Sequence, residues 1–503
     1  MEKDNVEIEK VDDKTEYDEI ITKEDRDFSS KQEKKIFRNI IFVAVSNIIT
    51  LLAGVLVGFV IPKILTITDY GYYKIFTMYF AYTGLFHFGF CDGIFLYFAG
   101  KKYDNLNREK FRLYSKFMLV TQSIVSIAII GISMCFIGSE YMPILLFVGL
   151  CLFGNNITNY YQMISQITFR FRELSLINSI KSILTIVSIV VLYLLFKFTD
   201  FGFISYIVYV TIFTVIFYLF VFFYIIVYRD ITFGKTAKLN DSKKDIFLFF
   251  KIGFPLLLSN LITVLLLNID RQFVSIWYTT EEYSMYAFAY NLLNLVTTCI
   301  SAIATVLYPS LKSKSKDELK KTYHSMNGII MSIVTCGLMG YFPLVFIVRW
   351  ILPNYTQSLD IYKIVYPGLL FSSSVSIVLA NYYKSLNRIK SFFIISLIAL
   401  IISVVADVIV YHTIGTMESI SLASVGVLFI YYLLTELYLT KKLSIVNFKN
   451  MFFSILITCG FYLSISLISN IYIQMIVFIF GGIVLILIFN YQNIVKLLHR
   501  QLL

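Results

Sequence analysis

Long apolar segments alternate with short polar connections from residue 38 to residue 491. Each apolar segment is long enough for a helix to cross a hydrocarbon core of about 30 Å, which takes about 20 residues. The pattern predicts an all-α polytopic membrane protein with about 14 transmembrane helices. The predicted spans are 38–62, 75–99, 117–138, 142–168, 174–196, 203–228, 250–278, 285–311, 325–350, 360–383, 392–412, 419–440, 451–469 and 474–491.

The connections alternate in charge. Every second one is rich in lysine and arginine, as in KKYDNLNREKFRLYSK (101–116) and KSLNRIK (384–390). The others hold few cations, among them Lys63 and Lys74 in the first connection. Since basic connections stay on the cytoplasmic side, the alternation predicts that both termini are cytoplasmic in a cell-membrane protein.

Composition agrees with a membrane protein. The chain is 58% hydrophobic and 15% charged, and its net charge is +11. Residues 1–35 carry a net charge of −5 and the remainder carries +16, concentrated in the short connections. This distribution reflects topology, so we expect no nucleic-acid partner. The N-terminal residues 1–35 lack an apolar core for a signal peptide and are predicted to form a disordered cytoplasmic tail.

An internal repeat relates two parts of the chain. SNIITLLAGVLVGFVIPKILTITDYGYY (46–73) aligns without a gap over SNLITVLLLNIDRQFVSIWYTTEEYSMY (259–286). The Ser-Asn pairs and the Thr-x-x-Asp/Glu-Tyr turns coincide; chance similarity is the alternative explanation. The repeat predicts two six-helix bundles related by an axis along the membrane normal, at 36–245 and 246–443, with helices 13–14 and a cytoplasmic tail at 444–503.

Polar side chains recur at helical spacing inside the spans. They lie in predicted helix 1, helix 4 and helix 8, most clearly in the series Asn155, Asn159, Gln162 of helix 4. Two interpretations remain open: interhelical hydrogen bonding, or the walls of a cavity for a hydrophilic substrate such as sugar. The candidate cavity residues are Arg271, Asp270, Asn260, Asn47, Asn155, Asn159, Gln162, Asn291 and Asn294.

Charged residues inside the spans are a second set of candidates. Lys181 and Glu436 stand near cytoplasmic ends and are expected to extend toward the membrane surface. Asp92 and Asp407 lie deeper. Each is a candidate for H⁺ or Na⁺ coupling, or for a simple pair with a neighbouring helix.

Arg271 follows Asp270 in NIDRQF, within a predicted continuous helix. Eleven residues, or three turns, would place Arg271 on the same face as Asn260. The first repeat has Val57 and Gly58 at the corresponding positions, so the helix does not need the charges. A guanidinium suits phosphate or carboxylate. Arg271 is therefore predicted to meet an anionic ligand in a cavity, or else to form a strut with a carboxylate on a neighbouring helix.

The chain resembles the polysaccharide (O-antigen or capsule type) flippases of the multidrug/oligosaccharidyl-lipid/polysaccharide exporter superfamily. The resemblance rests on LTITDYGYYKIF (65–76), FGFCDGIF (88–95) and TTEEYSMYAFAYNLLNLVTTCISAIATVLYPSL (279–311). The family pattern has a glycine before the tyrosine of the second turn. Here Ser284-Met285 follows Tyr283, and the glycine is present only in the first copy, as Gly71. The resemblance implies a V-shaped pair of bundles that moves an undecaprenyl-diphosphate-linked oligosaccharide from the inner to the outer leaflet, with cavity cations holding the diphosphate or acidic sugars.

Other functions fit less well. A small-molecule antiporter of the same fold, exporting drugs or organic cations, would favour a carboxylate-centred cavity at Asp92 or Asp407. A polysaccharide polymerase would need a sizeable external loop, and the connections are short. We therefore expect alternating access without an enzymatic reaction, catalytic residues, metal or cofactor. A lipid-linked oligosaccharide is the expected substrate, membrane lipids are the expected surroundings, and the chain is expected to be a monomer.

Overall fold

The computed structural model describes residues 23–98, 101, 103–198, 203–312, 316–386, 388–445 and 448–498. Within these ranges the chain is nearly all helical and no strand occurs. The helices are α1 (Lys23–Ile64), α2 (Ile67–Ala81), α3 (Phe90–Phe98), α4 (Arg108–Ser133), α5 (Tyr141–Ile167), α6 (Phe171–Phe198), α7 (Tyr206–Val227), α8 (Arg229–Thr232), α9 (Leu239–Leu266), α10 (Ile269–Trp277), α11 (Thr280–Lys312), α12 (Lys316–Met339), α13 (Tyr341–Ile351), α14 (Ser358–Val365), α15 (Gly368–Ser373), α16 (Ala380–Ser385), α17 (Ile389–Thr413), α18 (Met417–Leu443), α19 (Lys449–Leu467) and α20 (Ile471–Leu498).

Among the described residues, fewer helices are long and apolar enough to cross a membrane than the 14 that the sequence predicts. There are 11 such helices in the described chain. The count rises to 12 if Ser358–Val365 and Gly368–Ser385, which meet at 47°, form one bent span. The predicted count of 14 is therefore not confirmed, although the chain is a multi-pass membrane protein.

Breaks in the helices explain part of this difference. The predicted span 75–99 is divided into α2, a 3₁₀ segment at Tyr82–His87 and α3. The predicted span 285–311 lies in α11, whose side chains are described only as far as Thr298. At the N-terminus, α1 already begins at Lys23, so the expectation of disorder through residue 35 is wrong for 23–35. Residues 1–22 of that predicted tail lie outside the described residues.

The repeated Thr-x-x-Asp/Glu turns start two helices in the same way. The Thr66 hydroxyl accepts a hydrogen bond from the Asp69 amide at 3.0 Å where α2 begins. In the second copy, Thr279 and Glu282 form a reciprocal capping box at the start of α11, with the Thr279 amide donating to Glu282 Oε2 at 2.9 Å. These caps satisfy amides that have no partner within the helix.

Helix packing follows the repeat. We call α1–α7 the N-half and α9–α18 the C-half. In the N-half α1 packs on α6, α2 and α7 pack on α5, and α6 packs on α7. In the C-half the equivalent pairs are α9 on α17, α11 and α18 on α14, and α17 on α18. The same pairing order in both halves supports the parallel repeat, while the predicted bundle boundaries stay a prediction.

The two halves touch at both ends of the molecule. At the end where α1 meets α2, the Thr68 hydroxyl donates to Glu281 Oε1 at 2.6 Å. Toward the opposite end, α3 packs on α9, and a Cβ added to Gly93 would overlap the backbone of Phe249. Since glycine allows this backbone approach, the halves are closed against each other at both ends.

Candidate functional site

The apolar segment that carries Asp270 and Arg271 is broken. Helix α9 ends at Leu266 and α10 begins at Ile269, with Asn268 at φ −129° and ψ −4° between them. The amide nitrogen of the Asn268 side chain donates to the Val264 carbonyl at 2.7 Å. The expected continuous helix is therefore wrong. Asn260 lies on α9 and Arg271 on α10, so the two residues do not share one helix face. Both charges lie in the first turn of α10.

Asp270 is buried and held by two tyrosines of α11. The Tyr286 hydroxyl donates to Asp270 Oδ2 at 2.8 Å, and the Tyr290 hydroxyl donates to the same oxygen. Only 3% of Asp270 is exposed, so a carboxylate there depends on these bonds. A negative charge in the first turn also suits the helix dipole. Asp270 thus ties α10 to α11, and its role as a cavity residue stays a prediction.

Arg271 is partly exposed. Its guanidinium donates to the Leu267 carbonyl and lies over the Tyr290 ring, 4.5 Å from the ring centre. Within the described chain its buried Nε atom has no hydrogen-bond partner, and no carboxylate lies within ion-pair distance. The expected alternative, a strut to an acid on a neighbouring helix, is not formed there.

Lys74 brings a second positive charge to this region. Its ammonium donates to the Asn291 amide oxygen at 2.9 Å, and the Asn291 amide nitrogen donates to the Gly58 carbonyl at 3.2 Å. Lys74 belongs to α2 of the N-half and Asn291 to α11 of the C-half. The ammonium is also close enough to Arg271 for the two charges to repel each other. The placement of Lys74 in an external connection is therefore wrong.

A sequence signal for Lys74 existed. Thr66 and Asp69 mark a helix start, so Lys74 had to lie two turns inside the following helix rather than before it. We call Lys74, Arg271, Tyr290 and Asn291 the inter-half cation site. Two cations from different halves, with spare N–H donors and no carboxylate within ion-pair distance in the described chain, favour an anion with several oxygen atoms.

Asp407 lies near this site but apart from its cations. It is 0% exposed, and neither of its carboxylate oxygens has a hydrogen-bond partner in the described part of the chain. The Asp270 carboxylate is close enough to act on it electrostatically. A buried carboxyl group next to another acid suits a proton or a small cation.

Asp92, the other candidate for coupling, has a partner that the sequence analysis missed. Nε2 of His87 lies 3.8 Å from Asp92 Oδ2, and both side chains are buried. His87 ends the 3₁₀ segment, and the left-handed Phe88 and Gly89 turn the chain into α3. This distance is too long for a hydrogen bond, and Asp92 Oδ2 has no hydrogen-bond partner in the described chain, so the coupling role of Asp92 stays a prediction.

The polar series on α5 bonds within the N-half. Asn155 donates to the Thr83 hydroxyl at 2.9 Å, and Gln162 donates to Asn178 of α6 at 3.2 Å. Asn159, between them, is half-buried. Asn156, which the sequence analysis passed over, is fully buried and donates to Gln122 at 2.7 Å. Interhelical bonding therefore accounts for Asn155 and Gln162.

The remaining amide candidates do not join the inter-half cation site. Asn47, Asn260 and Asn294 are all exposed on their helices.

Two expectations about charged residues near the cytoplasmic ends also change. Glu436 is 0% exposed and does not reach a membrane surface. Lys181 packs over the Phe217 ring, with its ammonium 4.0 Å from the ring centre.

Solved structures share this fold. Lipid II flippase MurJ in an inward closed conformation has a TM-score of 0.65 at 16% sequence identity, over 93% of this chain and 99% of that chain. An inward-facing multidrug resistance MATE family transporter of the MOP superfamily has a TM-score of 0.57 at 14% identity, over 79% and 94%. A MOP superfamily transporter from Pyrococcus furiosus has a TM-score of 0.54 at 13% identity, over 81% and 95%.

Sequence comparison gives the family. No curated protein sequence matched the chain. A family model described as "Polysaccharide biosynthesis protein" matches residues 36–313, more than half of the chain. The chain therefore belongs to the polysaccharide biosynthesis protein family and has the fold shared by the MurJ and MATE structures.

Proposed function

We propose that this protein flips a polyprenyl-diphosphate-linked oligosaccharide across the cytoplasmic membrane by alternating access during export of cell-surface polysaccharide. The observation that carries the proposal is the pair of cations Lys74 and Arg271, one from each half. A diphosphate offers several oxygen acceptors and more than one negative charge. Two cations attract such a group and donate hydrogen bonds to it, whereas they would repel an organic cation.

The position of the two cations suits transport by alternating access. Lys74 and Arg271 lie where α2, α10 and α11 meet, between the contacts that close the two ends. If the halves rock about this site, an anion bound by both cations stays at the centre while first one end opens and then the other. The chain then needs no nucleotide hydrolysis of its own.

Orientation and coupling belong to the same proposal. Both termini are assigned to the cytoplasm, which places the Thr68–Glu281 contact at the outer end and the α3–α9 contact at the inner end. Asp407 is assigned a role in H⁺ or Na⁺ coupling, because it is buried close to Asp270. The transport unit is proposed to be a monomer.

The test uses two variants of Arg271. Arg271→Ala removes the guanidinium, and Arg271→Lys keeps a charge but loses the two-pronged geometry. Both are expected to reduce export of lipid-linked glycan at least about tenfold, the effect of losing one charged hydrogen bond. Protein level in the membrane is measured in parallel. Normal export in both variants would overturn the role of this site.

The alternative is an antiporter for multidrug or organic-cation substrates. It is supported by the fold shared with a MATE transporter and by the buried acids Asp270 and Asp407. A membrane polysaccharide polymerase fits less well. Purified protein in vesicles decides between the two transport functions. Movement of organic cations against a proton gradient, with no movement of lipid-linked sugar, would replace the flippase proposal.

A further inference from the structure

A buried polar cluster lies in the C-half, away from the inter-half cation site. We call Tyr323 and Asn327 of α12, Tyr432 and Glu436 of α18, and Ser454 of α19 the Glu436 cluster. Each of these five residues is 0% exposed. The cluster joins two helices of the C-half to α19, which belongs to the C-terminal helix pair outside the repeat.

One oxygen of Glu436 is well satisfied and the other is not. The Tyr323 hydroxyl donates to Oε2, and the Asn327 amide nitrogen lies 3.4 Å from the same oxygen. In the part of the chain that the structure describes, Oε1 has no hydrogen-bond partner. The same part of the chain places no lysine, arginine or histidine within ion-pair distance of Glu436. A buried carboxylate without a counter-charge is costly.

Two further oxygen atoms are left over beside this carboxylate. Asn327 Oδ1 and the Tyr432 hydroxyl oxygen are both buried and have no hydrogen-bond partner among the described residues. Tyr432 lies one turn before Glu436 on α18, and its hydroxyl is close to Asn327 and Ser454 without forming a bond of good geometry. Glu436 Oε1, Asn327 Oδ1 and the Tyr432 hydroxyl oxygen thus belong to three neighbouring side chains of one buried cluster, and none of them has a hydrogen-bond partner of good geometry among the described residues.

From this arrangement we infer that the Glu436 cluster binds one Na⁺ ion through Glu436 Oε1, Asn327 Oδ1 and the Tyr432 hydroxyl. Carboxylate, amide and hydroxyl oxygens are the ligands of hard cations. One carboxylate balances a single positive charge, which favours a monovalent ion over Ca²⁺ or Mg²⁺. The ion joins α12 to α18 beside α19 and stabilises the packing of the C-terminal helix pair on the C-half.

The experiment measures thermal unfolding of the purified full chain in detergent while NaCl replaces choline chloride at constant ionic strength. We expect a saturable rise in the unfolding midpoint with Na⁺, accompanied by ²²Na⁺ binding. Glu436→Gln keeps the shape of the side chain and is expected to remove one bound ²²Na⁺ per chain together with the stabilisation that this ion provides. Tyr432→Phe removes one ligand and is expected to raise the Na⁺ concentration for half-maximal stabilisation about tenfold.

Two control variants locate the ion. Tyr431→Phe makes the same change one residue away, at a hydroxyl that bonds to Ser396 at 2.8 Å, and should leave the Na⁺ response intact. Asp407→Asn removes the carboxylate that is proposed for coupling and should leave the Glu436-dependent ion in place. No Na⁺ response in the unmodified chain, as expected for a permanently protonated carboxyl, would overturn the inference. So would a response that is unchanged by Glu436→Gln, or a Glu436-dependent ion that is lost in Asp407→Asn. The readout is independent of transport, so the flippase proposal stands or falls separately.

Discussion

The Lys74 ammonium donates a hydrogen bond to the Asn291 amide oxygen at 2.9 Å and thereby joins the two halves of the protein. Lys74 lies on α2 of the N-half and Asn291 on α11 of the C-half. The same amide group bonds back to Gly58 on α1 at 3.2 Å. One asparagine therefore bridges two helices of the N-half, and it holds a lysine beside Arg271.

The first prediction concerns this lysine. Lys74→Ala should reduce glycan export at least about tenfold, because it removes one of two cations and leaves the Asn291 oxygen unpaired. Lys74→Arg should retain part of the activity. If both cations bind one anion, Lys74→Ala combined with Arg271→Ala should lose less than the product of the single losses. Export is measured in cells that depend on this protein.

The control is Lys197→Ala, at an exposed lysine near the end of α6, which should leave export unchanged. Multiplicative losses in the double variant would contradict a shared anion.

The second prediction separates the two roles of Tyr290, whose hydroxyl bonds to Asp270 and whose ring lies under Arg271. Tyr290→Phe should lower the free energy of unfolding by about 1.5–3 kcal/mol, the contribution of a hydrogen bond to a charged group, and should retain export. Tyr290→Leu removes the aromatic ring as well and should also impair export. Thermal unfolding and glycan export are measured together.

Tyr286→Phe is the matched control, because its hydroxyl bonds to Asp270 at 2.8 Å. It should destabilise the protein as Tyr290→Phe does and leave export intact. Equal export by Tyr290→Leu and Tyr290→Phe would show that the Tyr290 ring does not contribute to the inter-half cation site.

The third prediction concerns the contact of α3 with α9. Gly93→Ala should destabilise the protein by about 1–3 kcal/mol, because the added methyl group overlaps the Phe249 backbone. Gly54→Ala, on α1, meets no atom within 4 Å and should stabilise the protein by about 0.4–1 kcal/mol. Unfolding midpoints of the purified variants test both the predicted loss and the predicted gain of stability. Equal shifts in the two variants would show that α3 and α9 are not closely packed in solution.

The fourth prediction concerns the repeated helix caps. Thr66→Ala and Thr279→Ala should each cost about 0.5–2 kcal/mol, because each removes an acceptor for an amide in the first turn of a helix. Serine at either position should restore most of the loss. Hydrogen exchange of the first turns of α2 and α11 measures the effect locally. A response at one turn and none at the other would argue against equivalent caps.

Some features of this protein follow from its sequence alone. Hydropathy located the apolar helices, because each segment must satisfy its own backbone hydrogen bonds in the membrane. The two copies of the repeat also end and begin helices at equivalent positions. Helix α1 ends at Ile64 and α10 at Trp277, and the next helices begin at Ile67 and Thr280. These are local properties of short segments, which is why a single sequence was enough to predict them.

The candidate site was less predictable. The sequence singled out Arg271 and Asn291, but it assigned Lys74 to a connection outside the helices. It also read the segment around Asn268 as one helix, since hydropathy does not detect a turn inside an apolar stretch. Likewise, it assigned Glu436 to the membrane surface from its distance to a helix end.

The sequence by itself determined the membrane-spanning fold class and the recurrence of the Thr-x-x-Asp/Glu turns. Only the tertiary structure decided which polar groups meet. Lys74 and Asn291 are 217 residues apart, and their contact depends on how two separately formed halves pack together. Glu436 acquires Tyr323 and Asn327 as neighbours for the same reason, through the packing of α12 on α18. Hydropathy assigns a residue to a helix, and packing assigns its side chain to a partner.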